Sequence, residues 1–156
     1  MKKIFFLSIT LMFVTVLFAQ TYKAVKYMSP TDKLNETYCS PLFKTNDGTI
    51  FDLSNDYSAM GYRNILEWLN GRVAGLQVYY KKDGSPVAFI RNSKASIFLD
   101  EIPIEAGSLN LVSVADIAMI KIIKGPFVGA AGNGSGGTIA IYTFKGDDRD
   151  EEHSHS

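Results

Sequence analysis

The sequence predicts a single α+β domain, with about five or six short strands and one or two helices. Three observations carry that expectation. The 156 residues are 46% hydrophobic, 21% charged and 12% aromatic, which is an ordinary globular balance. The runs Ala118–Lys124 and Thr138–Phe144 are rich in Ile and other strand formers and have a two-residue side-chain period. Between Tyr62 and Val73, apolar residues recur instead at three- and four-residue intervals, the spacing of one helical face.

The first nineteen residues stand apart. Lys2 and Lys3 precede an apolar run from Ile4 to Ala19, broken only by Ser8, Thr10 and Thr15. That run is shorter than the ~20 residues a membrane-spanning helix needs. A basic start, an apolar stretch and a small residue at Ala19 read as a secretory signal peptide, residues 1–19. Cleavage there leaves 137 residues, enough to bury roughly two-thirds of the unfolded surface. With Lys2 and Lys3 removed, 14 basic and 16 acidic side chains remain, a net charge of −2. A strong polyanion binder carries the opposite excess, so nucleic acid is not an expected partner. Cys39 is the single cysteine, which excludes an intramolecular disulfide and leaves it the role of a small apolar residue.

Along the expected mature chain, residues 20–53 sustain no period and read as an irregular lead-in punctuated by Pro30, Pro41 and Asn46-Asp47-Gly48; Thr49–Leu53 could form one short strand. In the helical stretch, Ile65, Leu66, Leu69 and Val73 make the apolar stripe with Trp68 flanking it. Ser58 or Asn64 can start that helix, and Gly71 can end it. Gly75–Tyr80 and Pro86–Arg91 form a hairpin around Asp83-Gly84. After a polar break at Asn92-Ser93-Lys94, residues Ala95–Leu99 make a third strand, and Asp100-Glu101 turns the chain before Ile102-Pro103-Ile104. Leu109–Ala115 holds a short helical turn. In Ala118–Lys124, Ile120 and Ile122 share one face, with Met119, Lys121 and Ile123 on the other. In Thr138–Phe144, Ile139 and Ile141 oppose Ala140 and Tyr142. Residues 147–156 form a polar, acidic and His-containing tail expected to be disordered.

No catalytic constellation emerges. His153 and His155 both sit in the tail, so no Ser-His-Asp or Cys-His arrangement and no folded zinc site can be assembled. Asp100 and Glu101 are adjacent and would face opposite ways in a strand, which excludes a paired acid and base. The glycine-rich run Gly125–Gly137 could cradle phosphate, yet it lacks the Lys-Ser or Lys-Thr pair and leads into a strand, where a phosphate loop leads into a helix. The expectation is therefore a non-enzyme with no metal and no cofactor. The glycines read as tight turns between two buried strands. Gly129, Gly132, Asn133, Gly134, Gly136 and Gly137 are the candidate interaction loop, and the Tyr79–Gly84 hairpin is a second candidate contact edge.

Three ordered blocks carry a resemblance. Asn64–Val78 contains Asn70-Gly71-Arg72-Val73-Ala74-Gly75, Ala95–Ile104 contains an apolar strand followed by Asp100 and an apolar-Pro step, and Asp116–Pro126 ends in Lys124-Gly125-Pro126 before the glycine run and Gly136–Thr143. Together, over about residues 54–146, they resemble the plug domain of TonB-dependent outer-membrane receptors, especially the Bacteroidetes type. The resemblance implies a compact mixed sheet with helices, a module that sits inside a large barrel, and no catalytic residue. It implies action by protein binding in connection with nutrient uptake, in the periplasm or outer membrane of a Gram-negative bacterium. The implied partner is a barrel subunit or another envelope protein. Asn92 and Glu101 stand where the family commonly has Gly, which points to relaxed turn requirements. No segment near Gln20 resembles the box that recruits TonB, and no ten-residue alternating segments with aromatic girdles occur. The expectation is a stand-alone plug-like protein without the barrel; the alternative is a truncated remnant of a longer receptor with no activity of its own.

Overall fold

The computed structural model describes residues 27–44, 48–127 and 136–145. The expected signal peptide (1–19) and tail (147–156) lie outside these residues. Within them the chain opens with helix α1 (Pro30–Tyr38). Its start is a capping box: Ser29 Oγ accepts from the Asp32 amide at 3.1 Å, and the Ser29 amide donates to Asp32 Oδ2 at 3.3 Å. Helix α2 (Pro41–Lys44) follows at once and buries Phe43. Next, β1 (Thr49–Asp52) joins a sheet. The lead-in is thus more ordered than its sequence pattern indicates. None of the α1 residues is fully buried, so the helix writes no apolar period.

A 3₁₀ turn at Tyr57–Ala59 leads into α3 (Ile65–Leu69). Asn64 is its N-cap, with Oδ1 accepting from the Leu66 amide at 2.9 Å, and Ser58 instead accepts the Trp68 indole N–H at 3.0 Å. The helix is only five residues long because the chain turns through Asn70 and Gly71, whose φ is +85°. Val73 is buried from that turn, beyond the helix end. Trp68 is core, 2% exposed and edge-on to Phe51 at 5.5 Å.

Then come β2 (Leu76–Tyr80), β3 (Pro86–Ile90) and the two-residue β4 (Ser93–Lys94), an antiparallel three-stranded sheet. β5 (Ser96–Leu99), β6 (Ile102–Ile104), 3₁₀ turns at Ala106–Leu111 and Val114–Asp116, β7 (Ile117–Ile123) and β8 (Thr138–Thr143) complete the described chain. The larger sheet runs β1-β7-β8-β5-β6. β8 pairs antiparallel with β7 and parallel with β5, so the sheet is mixed. The α+β architecture with a small mixed sheet is as the sequence predicts. The strand number is eight among the described residues, because β4 and β6 are too short to show a pattern and the expected polar break at Ser93-Lys94 is itself β4.

Two apolar clusters lie on the two faces of the larger sheet. Ile97, Ile120, Ile122, Ile139 and Ile141 face α3 and the three-stranded sheet. Phe98, Met119, Ile123, Ala140 and Tyr142 face Cys39 and Phe43. The alternation expected for β7 and β8 is therefore present. One detail was not legible: a bulge between Ile117 and Met119, opposite Thr143 and Tyr142, reverses the phase so that Ile117 joins the same cluster as Ile120.

Ile139 is fully buried between Ile97 and Ile122 as its strand partners. Ile139→Asp would bury an unpaired charge there, and the expected result is loss of the cooperative thermal transition. A melt matching the parent would remove Ile139 from the core.

Candidate functional site

The candidate loop and the hairpin are placed by different parts of the fold. Of the six loop residues, Gly129, Gly132, Asn133 and Gly134 lie outside the described residues. Gly136 and Gly137 are buried at the root of the run, between Ser93 of β4 and Ile123 of β7. A Cβ on Gly136 would meet the Ser93 carbonyl oxygen at 2.4 Å. One on Gly137 would meet the Ile123 carbonyl oxygen at 2.4 Å, on a backbone with φ +129°. Close backbone approach therefore requires glycine at both positions, the reading given to these glycines as tight turns between buried strands. The Gly137 carbonyl also accepts from the Ser96 amide at 3.0 Å, tying the root to β5.

The Tyr79–Gly84 hairpin lies on the surface. Tyr79 and Tyr80 are each more than half exposed. They do not stack on each other, because adjacent strand residues point to opposite faces. Tyr79 meets Phe89 edge-on at 5.7 Å, and Tyr80 donates to Glu67 Oε1 at 3.0 Å. The turn is held by Asp83 Oδ1, which accepts from the Ser85 amide and hydroxyl, and by Gly84 at φ +78°.

Beside this hairpin runs an open cleft of about 570 Å³ between β3–β4 and β6. Lys81, Ser85, Lys94, Ser96 and Glu105 are the polar residues that line it, together with apolar residues that include Ile97 and Phe98. Glu105 is the one carboxylate that lines it, and no His or Cys does. Among the described residues there is no group of three or more His, Cys, Asp or Glu side chains able to hold a metal, and no helix long and apolar enough to cross a membrane.

The arrangement has known counterparts. Residues covering 68% of the chain superpose on P. aeruginosa FpvA, solved in complex with a ferric pyoverdine, with TM-score 0.51 and 20% identity. The FpvAI–pyocin S2 complex matches over the same share, with TM-score 0.51 and 19% identity. RagAB, a peptide importer in its closed-closed state, matches over 65% of the chain, with TM-score 0.50 and 19% identity. The fold is that of a TonB-dependent receptor plug. The chain covers only 15% of the FpvA chains and 12% of the RagAB chain. No protein-family model and no curated protein matches the sequence.

Against the plug pattern, the two missing glycines prove informative. Arg91-Asn92 and Asp100-Glu101 are the two-residue turns of the β3–β4 and β5–β6 hairpins, closed by Ile90 with Ser93 and by Leu99 with Ile102. All four residues have positive φ: 51°, 65°, 47° and 68°. The turn requirements are therefore not relaxed; non-glycine residues occupy the left-handed conformation that primed turns demand. The second turn is held by its own side chains. Asp100 accepts from the Thr143 amide and hydroxyl, both at 2.9 Å. Glu101 Oε1 accepts from the Ser40 amide at 2.6 Å and the Tyr142 hydroxyl at 3.2 Å, pinning the α1–α2 cover to β8.

Lys121 is the residue whose role the sequence hid most. It is 1% exposed on β7, and its Nζ donates to Asn35 Oδ1 at 2.8 Å and to the Phe43 carbonyl at 2.6 Å. Its lone charge in an apolar run is the only signal that marks it. Near it, burial pushes the Cys39 thiol up, and burial together with the Cys39 and Glu101 contacts pushes the Tyr142 phenol far up.

Two outcomes follow for this plug fold. Asn92→Gly should stabilise it by about 0.5 kcal/mol by relieving a positive φ, whereas Glu101→Gly should destabilise it by about 1 kcal/mol or more through two lost hydrogen bonds. Urea denaturation of both variants checks the opposite signs. For Cys39 and Tyr142, the unfolded chain releases protons above roughly pH 9 while the folded chain keeps them, so stability should fall with rising pH there. Urea midpoints between pH 8 and pH 11 should show that slope, and Tyr142→Phe should flatten it.

Proposed function

We propose that the chain is an exported plug-like module that acts by protein binding at the outer membrane or in the periplasm, in connection with nutrient uptake. The observation that carries this reading is the shared fold: about two-thirds of the chain superposes on part of FpvA, a protein solved bound to pyoverdine, and on part of RagAB, a peptide importer. Binding fits the surface described. The Tyr79–Gly84 hairpin offers two exposed aromatic rings on a well-supported turn, and aromatic rings give large contact area with little side-chain entropy lost. Gly136 and Gly137, the last residues of the glycine-rich run, pack closely against Ser93 of β4 and Ile123 of β7. Both elements are contact edges for a barrel subunit or another envelope protein.

Export through residues 1–19 is part of the same reading. The processed protein should begin at Gln20 and partition with the envelope, as read by N-terminal sequencing and fractionation. Cross-linking from a photo-reactive residue at Tyr79 should then recover a specific outer-membrane barrel protein. A cytoplasmic, unprocessed chain, or cross-links to no specific envelope protein, would overturn the proposal.

A further inference from the structure

We propose that the groove between residues 60–63 and residues 110–115 docks a protein segment that presents a carboxylate beside an apolar side chain. None of its lining belongs to the glycine-rich run or the Tyr79–Gly84 hairpin. The groove holds about 390 Å³ and has Met60, Tyr62 and Leu111 along it. These are 51%, 37% and 90% exposed, and Leu111 is the most solvent-exposed large apolar side chain of the described residues. Large apolar groups gathered around one concave spot mark contact surfaces more than isolated ones do.

The polar chemistry selects the occupant. Arg63 lines the groove and makes no hydrogen bond or ion pair to any described residue. No Asp or Glu lines the groove with it. A guanidinium without an acidic neighbour, in a mixed polar and apolar groove that also carries the exposed side chains of Met60 and Leu111, fits a carboxylate whose own neighbour is apolar. Arg presents a rigid fork of donors for that purpose.

The site is also preformed. Asn64 Nδ2 donates to Asn110 Oδ1 at 2.6 Å, so a side-chain bond ties the start of α3 to the 3₁₀ turn on the opposite wall. Leu109, 1% exposed, anchors that turn in the core. Arg72 lies over both the Tyr62 ring, at 5.6 Å, and the Trp68 ring, at 4.6 Å, and donates to the Trp68 carbonyl. Tyr62 is therefore braced before any partner arrives, which lowers the entropy lost on binding.

The inference rests on reading the chain as a contact protein, and its test is separable from the barrel partner. The isotope-labelled protein is titrated with N-acetyl-Leu-Glu-Leu-amide and with its Leu-Gln-Leu counterpart, following backbone amide signals. The acidic peptide should shift residues 60–63 and 110–115 with saturation, and the neutral one should bind roughly fivefold more weakly, about 1 kcal/mol for an exposed ion pair. Arg63→Gln should melt like the parent, because Arg63 holds nothing in the fold, and should bind both peptides equally. Equal binding of the two peptides to the parent, shifts elsewhere, or no shifts would overturn the groove's assignment. Concentration-dependent shifts of the same residues without peptide would assign it to a second copy of the chain instead. Failed capture of a barrel protein with the peptide response intact would remove that partner and leave the groove; the reverse result would remove the groove alone.

Discussion

The structure depends on a sheet that is apolar on both faces. All seven residues of β7 are buried, as are five of the six in β8. Burying an Ile side chain contributes about 1.5–3 kcal/mol, so leaving either face in water would cost most of the domain's stability. Two covers are therefore compulsory. On one face, α3 and the three-stranded sheet form a large apolar layer. On the other, the cover is thin: α1 buries none of its residues completely, and α2 inserts Phe43 against Phe98 and Phe127. Polar ties complete this second layer, from Lys121 to Asn35 and the Phe43 carbonyl, from Glu101 to the Ser40 amide, and from Lys145 to the Thr37 carbonyl. Lys121 is thus the structural counterpart of a missing apolar helix face.

How much of this the sequence shows depends on how local each signal is. β7 and β8 are legible because seven and six consecutive residues carry their own pattern, and α3 is legible because its stripe and Asn64 cap lie within one turn of each other. α1 is not, since a helix that covers a sheet through its partly buried Leu34 and Tyr38 has no apolar stripe to display. The bulge at the start of β7 is equally silent, because only the opposing strand reveals that one residue is extra. The primed turns are misread for a related reason. Glycine is the usual marker of positive φ, whereas Asp100 and Glu101 reach it through bonds to Thr143, Ser40 and Tyr142, partners about 40 or more residues away in either direction.

The candidate site divides in the same way. Gly136 and Gly137 are readable as points of close approach, and the fold supplies the atoms approached. Tyr79 and Tyr80 are readable as exposed only once the strand register sends them to opposite sides. Arg63 gives no signal at all in the chain, because its isolation is a property of residues 110–115 folding beside it.

One pairing has a temporal consequence. Thr49 of β1 lies opposite Ile122 of β7, so the outer strand on that side can dock only after nearly the whole domain has been made. Contacts of such long sequence separation slow folding relative to local ones, towards the millisecond-to-second range. A chain emerging N-terminus first would hold Ile50 and Phe51 waiting, unzipped, until its last third arrived. During that interval the half-finished molecule offers a sticky ribbon, and a chaperone that shields extended segments would find its natural client there.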